Sequence, residues 1–238
     1  MLSSILHGEK LNKVTRVGQV SQMNDSEMCV HRSVERVRND QTDLWDTSRM
    51  EEPTLLKYNV HTPLQGLPVE KVKKISEMTA LPLTLMMFNL NGDMNIGMSI
   101  RSAVIYGCSD VYIVGKKRYD RRPEVGAKNY ISFHRLPTIT PSFFLENKLV
   151  PVFVEQGGTP LEDFSFKPYL PNKLLEGWKV CLVVGSESYG LPMDEFKELK
   201  APVVTISQYG VMRSLNVSVA TGIVLYEFCR QWRKSVSL

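Results

Sequence analysis

The sequence predicts an α/β fold, a mainly parallel sheet with helices on both faces. Short apolar runs without polar alternation recur from Leu81 onward, as expected of strands buried on both sides. Stretches with helical spacing, or short helix candidates, fall between them, which is the pattern of strands joined by helical crossovers. Segments rich in Gly, Asn and Ser follow several strands directly, and in such sheets ligands bind beyond the carboxyl ends of the strands.

Taken in order, residues 1–78 are polar and poor in long apolar patterns. Within them "VHRSVERVRNDQTDLW" can form a charged helix and "EEPTLLKYNVHTPLQGLP" reads as loop. This part is expected to be an extension, partly ordered and packed on a neighbour, or else an arm that grips substrate. The pattern changes at Leu81, and residues 79–238 form the expected main domain. "LPLTLMMF" is the first buried strand; "NIGMSIRSAVIYG" then has helical spacing at Ile96, Ile100, Ala103 and Val104, with Gly107 able to end the helix. "SDVYIVG" is the second strand, "PSFFLENK" a short helix after Pro141, and "LVPVFVEQ" and "KVCLVVG" two further strands. "PMDEFKEL" is another short helix, "APVVTIS" the last strand, and a final helix runs from about Ser214 to about Arg233.

Composition sets the outer bounds. The chain has 238 residues, 43% hydrophobic and 23% charged, enough for one sizeable core with an extension or for two small domains. No apolar run approaches a membrane span. The N-terminal "MLSSILHGEKLNK" lacks the apolar core and cleavage site of a secretory signal, so a cytoplasmic location is expected; its basic and Ser residues give only weak support to organellar targeting. Cys29, Cys108, Cys181 and Cys229 lie far apart with no CxxC, which points to free thiols rather than a metal site or disulfides. The net charge of +4 permits an anionic partner without requiring one.

Three segments at strand ends hold the chemistry-bearing residues. In "NLNGDMNIGMSIR", Asn91 and Asp93 suit a turn or a helix N-cap. Asn95 and Arg101, six apart, do not share a helix face and can meet only if Asn95 lies in the loop or first turn and Arg101 reaches back. Residue by residue, capping plus a surface arginine accounts for this segment equally well. In "VVGSESYGLP", Gly185 and Gly190 bracket Glu187, and such glycines either let a ligand lie against bare backbone or simply shape a strand-to-helix turn. There is no GxGxxG and no P-loop lysine. In "SLNVSVATG", Ser214 can cap the final helix and Asn216 would sit in its first turn, where unpaired N–H groups point outward.

Together these segments resemble the three ordered motifs of the SpoU/TrmH-type RNA ribose methyltransferases of the SPOUT superfamily. An Asn followed six residues later by an Arg matches Asn95 and Arg101; G-x-E-x-x-G after a strand matches Gly185, Glu187 and Gly190; and S-L-N-V-S-V-A is present letter for letter from Ser214 to Ala220. The likeness covers about residues 80–233. It implies a C-terminal trefoil knot, which no pattern in the sequence shows, and S-adenosylmethionine bent into a pocket made by the knotted loops. Val184, Gly185, Glu187, Gly190, Ile206, Ser214, Leu215 and Asn216 are the implied cofactor residues, with backbone groups near Gly185, Ile206 and Leu215 on adenine and ribose. The implied activity is methyl transfer to a ribose 2′-hydroxyl of structured RNA, in a homodimer with the last helix at the interface and without a metal. Arg101 would bind the adjacent phosphate and stabilise the developing alkoxide, since a guanidinium holds its proton too tightly to be a good base. Asn95 would hold that arginine's rotamer, Ser214 and Asn216 would orient ribose or cofactor, and Glu187 would position a basic partner or shape its loop.

"GKKRYDRRPEVGAKNYISFHR" carries Lys116, Lys117, Arg118, Arg121, Arg122, Lys128 and Arg135 around Tyr119 and Tyr130, a composition that suits phosphate contacts and base stacking. His134 is expected to be structural. Residues 1–78 do not resemble the accessory RNA-binding domain of many relatives. Transfer RNA is the preferred substrate, because a minimal catalytic domain suits it, with ribosomal RNA next. The alternative is an inactive RNA-binding or assembly protein that keeps the fold.

Overall fold

The computed structural model describes residues 59–115, 118–170 and 177–236. The described residues all lie in the compact unit Tyr58–Leu238. The charged helix expected within residues 30–45 lies outside the described residues.

The elements run α1 (Val69–Met78), β1 (Leu83–Phe88), α2 (Asp93–Ile105), β2 (Asp110–Val114), β3 (Ser132–Leu136), α3 (Ser142–Glu146), β4 (Leu149–Pro160), β5 (Lys179–Val184), α4 (Met193–Phe196), β6 (Val203–Thr205) and α5 (Val217–Val236). The strands form one sheet in the order β3-β2-β1-β5-β4-β6. Each paired neighbour is parallel, with Leu85 opposite Val111 on one side and Leu182 on the other. α1 buries Val72 and Ile75 and packs on the 3-10 turn Ala127–Tyr130, so it belongs to the same compact unit as the sheet.

Strand side chains alternate between two cores. Leu83, Leu85 and Met87 join Ile96, Ile100 and Ala103 of α2 and Val224, Leu225 and Phe228 of α5 on one face. Met86 and Phe88 join Tyr112, Phe144 of α3, Phe153 and Phe196 of α4 on the other. Burial on both faces is why these strands read as unbroken apolar runs.

The end of the basic segment, Ser132–Leu136, pairs with β2 as the edge strand β3, an element missing from the strands read in the sequence. Here His134 stacks on Tyr112 at 4.4 Å and meets Asp110 at 3.1 Å. The final helix begins at Val217, not Ser214. Its cap is Asn216, whose Oδ1 accepts the backbone N–H groups of Ser218 at 2.9 Å and Val219 at 3.4 Å.

Candidate active site

The pairing of β1 with β5 decides where the site forms. Their carboxyl ends are neighbours in the sheet, so the loop after Phe88 and the loop after Val184 emerge side by side although they are far apart in sequence. Glu187, from the second loop, reaches the start of α2. Its Oε2 accepts the Asn91 N–H at 2.8 Å, and its Oε1 accepts the Gly92 N–H at 3.1 Å and Asn95 Nδ2 at 2.7 Å. A carboxylate at a helix N-terminus satisfies open donors and faces the positive end of the helix dipole. Partial burial by itself would raise the Glu187 pKa, but the donors from Asn95, Asn91 and Gly92 outweigh it and hold the carboxyl below its usual range.

α5 packs against α2 and brings the third segment in. Asn216 Nδ2 donates to Asn95 Oδ1 at 3.1 Å while its own Oδ1 caps α5. A single hydrogen-bonded chain, Glu187 to Asn95 to Asn216 to the α5 backbone, thus joins three segments separated by 92 and 121 residues. Asn95 lies on α2 itself, not in the loop, and both ends of its amide are engaged in this chain. Among the described residues Asn95 ties Glu187 to Asn216 and makes no hydrogen bond to Arg101. Glu187 makes its hydrogen bonds to the backbone of the neighbouring loop and to Asn95.

Arg101 stands apart from that chain. It is exposed on α2, in a stripe with Met94, Met98 and Ile105, and its guanidinium makes no hydrogen bond or ion pair among the described residues. Ser214 is exposed, and among the described residues its hydroxyl also makes no hydrogen bond. Val184 and Gly185 are buried at the end of β5, Gly190 closes a bridge to Ser186, Ile206 is half-buried and Leu215 is exposed. Among the described residues, Ser207–Leu215 makes no backbone–backbone hydrogen bond, and its main chain is held by one side chain, Gln156, at the Arg213 carbonyl.

Lys116 and Lys117 lie outside the described residues. Arg121 pairs with the buried Glu124 at 2.9 Å and Arg122 with Asp120 at 2.6 Å, and both arginine side chains remain well exposed. Lys128 lies over the Phe133 ring, Arg135 over Tyr119 and Phe133, and Arg118 is exposed.

Several supporting residues escaped the sequence reading. β4 bulges between Val154 and Thr159, which aims Glu155 Oε2 at the Leu191 N–H and Gln156 Nε2 at the Arg213 carbonyl, at 3.1 and 2.9 Å. One strand end thereby holds both the Glu187 loop and the segment before Asn216. The adjacent Gly157 and Gly158 inside a strand pattern were the available signal for this bulge. Asn91 was read as a turn or N-cap residue, yet its amide donates to Ser188 Oγ at 2.9 Å and locks the two loops together.

The sequence model of the SpoU rRNA Methylase family matches residues 82–226, more than half of the chain. A tRNA (guanosine(18)-2′-O)-methyltransferase of Borreliella burgdorferi is 25% identical over 170 residues, which cover 69% of this chain and 74% of that protein. A 23S rRNA (guanosine-2′-O-)-methyltransferase of Acinetobacter baylyi is 27% identical over 150 residues, covering 58% of this chain and 55% of its relative. Among solved structures, the Aquifex aeolicus TrmH/SpoU tRNA modifying enzyme matches with a TM-score of 0.58 at 25% identity, over 71% of this chain and 86% of that one. The SpoU methyltransferase AviRb of Streptomyces viridochromogenes, solved with AdoMet, shares the fold with a TM-score of 0.52 at 24% identity, over 65% and 58% of the two chains. The matched span contains the whole chain of bonds from Glu187 to Asn216, and this protein belongs to the SpoU rRNA methylase family, as a methyltransferase.

Proposed function

We propose that the chain transfers a methyl group to a ribose 2′-hydroxyl of a structured RNA. The observation that carries this reading is the bonded chain Glu187–Asn95–Asn216, because no local need of a turn or a cap would draw three such distant segments together. S-adenosylmethionine, the family's methyl donor, supplies a methyl carbon on a sulfonium that is already activated toward an oxygen nucleophile. The main chain of Ser207–Leu215, with Ile206 and Leu215 at its borders, and the tight Gly185–Gly190 loop fit the polar adenosine and the aliphatic part of that molecule.

Arg101, whose guanidinium has no hydrogen-bond or ion-pair partner among the described residues, binds the phosphate beside the target ribose and stabilises the alkoxide as it forms. The hydroxyl proton leaves to that phosphate or to water. Asn95 and Glu187 hold the α5 N-terminus in place, and Ser214 and Asn216 orient ribose or cofactor. Arg118, Arg121, Arg122, Lys128 and Arg135, with Lys116 and Lys117, guide the RNA. Transfer RNA is preferred over ribosomal RNA, since the chain covers more of the relative named for tRNA than of the one named for 23S rRNA.

Two structural parts belong to the same reading. One is a trefoil knot in the segment between β6 and α5; supporting it, β6 is an edge strand while α5 packs back on β5 and α2, away from that edge. The other is a homodimer. Met94, Met98 and Ile105 of α2 and Val219, Ile223 and Tyr226 of α5 are exposed, and Tyr226 meets Tyr106 at the end of α2, so the two stripes form one apolar face with Arg101 in it. Val224 and Phe228 of the same helix are buried in the chain's own core.

Labelled S-adenosylmethionine and bulk RNA test this. Wild type should transfer label to 2′-O-methyl nucleosides. Arg101→Ala should lose transfer by about a hundredfold or more with cofactor binding intact. Ile223→Glu should sediment as a monomer with reduced transfer. Equal loss of transfer and cofactor binding in Arg101→Ala would overturn its role; RNA and cofactor binding with no transfer by wild type would favour a scaffold protein.

A further inference from the structure

Asn91 and Gly92 form the one Asn-Gly pair in the chain. An asparagine before glycine is in its least durable chemical setting. The glycine nitrogen can attack the side-chain amide carbon, and no side chain on the following residue stands in the way. The structure needs both residues all the same. An added Cβ on Gly92 would stand 2.5 Å from Asn95 Nδ2 and 2.8 Å from Glu187 Oε1, two atoms that are bonded to each other at 2.7 Å. Any other residue at 92 would wedge that bond apart. The Asn91 amide donates to Ser188 Oγ at 2.9 Å and to Ser186 Oγ at 3.4 Å, and its backbone N–H binds Glu187 Oε2 at 2.8 Å.

Asn91 is exposed and Gly92 half-buried, so solvent reaches the pair. The contacts around it hold the reaction in check. The Gly92 N–H donates to Glu187 Oε1 at 3.1 Å. Attack requires that nitrogen to give up its proton, and a carboxylate at this distance opposes the negative charge that would form. The amide under attack is held by two serines of the other loop. Ring closure therefore waits for the contact with Glu187 to open. Asn95 and Asn216 precede the β-branched Ile96 and Val217, whose side chains hinder the same attack, and they serve as internal references.

We propose that Asn91 is a site of spontaneous deamidation, and that its conversion to aspartate or isoaspartate unties the two loops and silences the site. The Gly92 nitrogen loses its proton to solvent base and bonds to Asn91 Cγ. The Cγ–Nδ2 bond breaks, and the departing nitrogen takes up a proton and leaves as ammonia, giving a succinimide. Water then opens the ring. Cleavage between the Gly92 nitrogen and Cγ gives aspartate; cleavage between that nitrogen and the main-chain carbonyl carbon gives isoaspartate. Water enters, ammonia leaves and a neutral amide becomes a carboxylate, with no change of oxidation state. Either product sets a second carboxylate beside Glu187 and removes the donor that Ser188 accepts. Isoaspartate also adds a carbon to the main chain between the two N–H groups that Glu187 binds. The silencing rests on the ribose-methylation reading; the modification itself does not.

The test ages the full folded chain at physiological temperature and mildly alkaline pH and maps its peptides by mass spectrometry over time. Amide should turn to carboxyl at Asn91 ahead of Asn95 and Asn216, with both aspartate and isoaspartate among the products, and faster as pH rises. The converted protein, separated from its parent by the added negative charge, should melt at a lower temperature and transfer methyl groups about tenfold or more slowly. Glu187→Ala, which frees the Gly92 N–H, should convert several-fold faster. Three results would each overturn the proposal: an Asn91 that persists in the folded wild type while the urea-unfolded chain converts, a converted form that transfers as fast as its parent, or an unchanged rate in folded Glu187→Ala. Conversion at Asn91 with a lowered melting temperature, in a chain whose parent form transfers no methyl group, would uphold the modification and sink the proposed activity instead.

Discussion

Asn216 serves two neighbours with one amide. Its oxygen caps α5 through Ser218 and Val219 and also accepts the Ser218 hydroxyl, while its nitrogen donates to Asn95. The two jobs are separable by substitution. Asn216→Ala removes both and should lower stability by about 1 kcal/mol in urea unfolding, the usual cost of a lost cap. Asn216→Asp keeps the capping oxygen and loses the donor, so its unfolding midpoint should stay near wild type while methyl transfer falls. An aspartate variant as unstable as the alanine one would show that the link to Asn95, not the cap, carries the stability. The capping function of this position was legible in the sequence, but it fell on Ser214, because both residues are good caps and only the backbone path shows which one precedes the first helical turn.

α2 connects the candidate site to the basic segment. Its Gly97, between Asn95 and Arg101, lies where the 3-10 turn Arg122–Glu124 packs against the helix: an added Cβ would stand 3.0 Å from the Asp120 carbonyl oxygen and 3.2 Å from the Glu124 nitrogen. Glu124, 2% exposed, then gathers the segment from within, accepting from the Tyr119 hydroxyl at 2.5 Å and from Arg121 Nε at 2.9 Å. The arginines are thus carried one helical turn from Arg101 by backbone packing rather than by their own charges. Gly97→Val should displace this turn, destabilise the protein by about 1–3 kcal/mol and weaken RNA binding, while S-adenosylmethionine affinity stays near wild type. Unchanged RNA affinity in a folded Gly97→Val protein would mean that the basic segment does not lie on the RNA path. From sequence, a glycine in a helix pattern signals only a weakened helix or a close approach, and its partner, 23 to 27 residues downstream, cannot be read from spacing.

At the scale of the whole molecule, the two ends of the sheet carry different carboxylates. At the carboxyl end Glu187 binds the start of α2. At the opposite end Asp110 takes Lys179 Nζ at 2.6 Å, the Ser109 hydroxyl at 2.6 Å and His134 at 3.1 Å. Burial alone would raise the Asp110 pKa, but these partners, Lys179 first, outweigh it and hold it low, as the donors do for Glu187. For a carboxyl whose folded pKa lies below its unfolded value of about 4, the stabilisation is fully present above that unfolded value and is lost as pH falls through the folded one. Stability to urea should therefore decline with acidification below about pH 5. The double variant Asp110→Asn, Glu187→Gln should begin less stable at neutral pH and decline less steeply. An acid limb of the same slope in both proteins would show that other groups govern acid unfolding.

The amino-acid sequence by itself determined the class of fold, most strand positions and the family. Strands buried on both faces must be apolar along their length, and a polar site at strand ends must interrupt that pattern, so both leave local traces such as "LPLTLMMF" and "SLNVSVA". Tertiary structure alone decided what those residues touch. The bond from Asn95 to Glu187 depends on β1 pairing with β5, the bond to Asn216 on α5 crossing α2, and the support from Gln156 on a bulge in β4. β3 went unread because an edge strand of half-buried residues lacks the continuous apolar run, and its partner β2 is what makes it a strand. Hydropathy and turn chemistry act over a few residues and are written in order along the chain, whereas a hydrogen bond across 121 residues exists only once the sheet order has placed its two ends together.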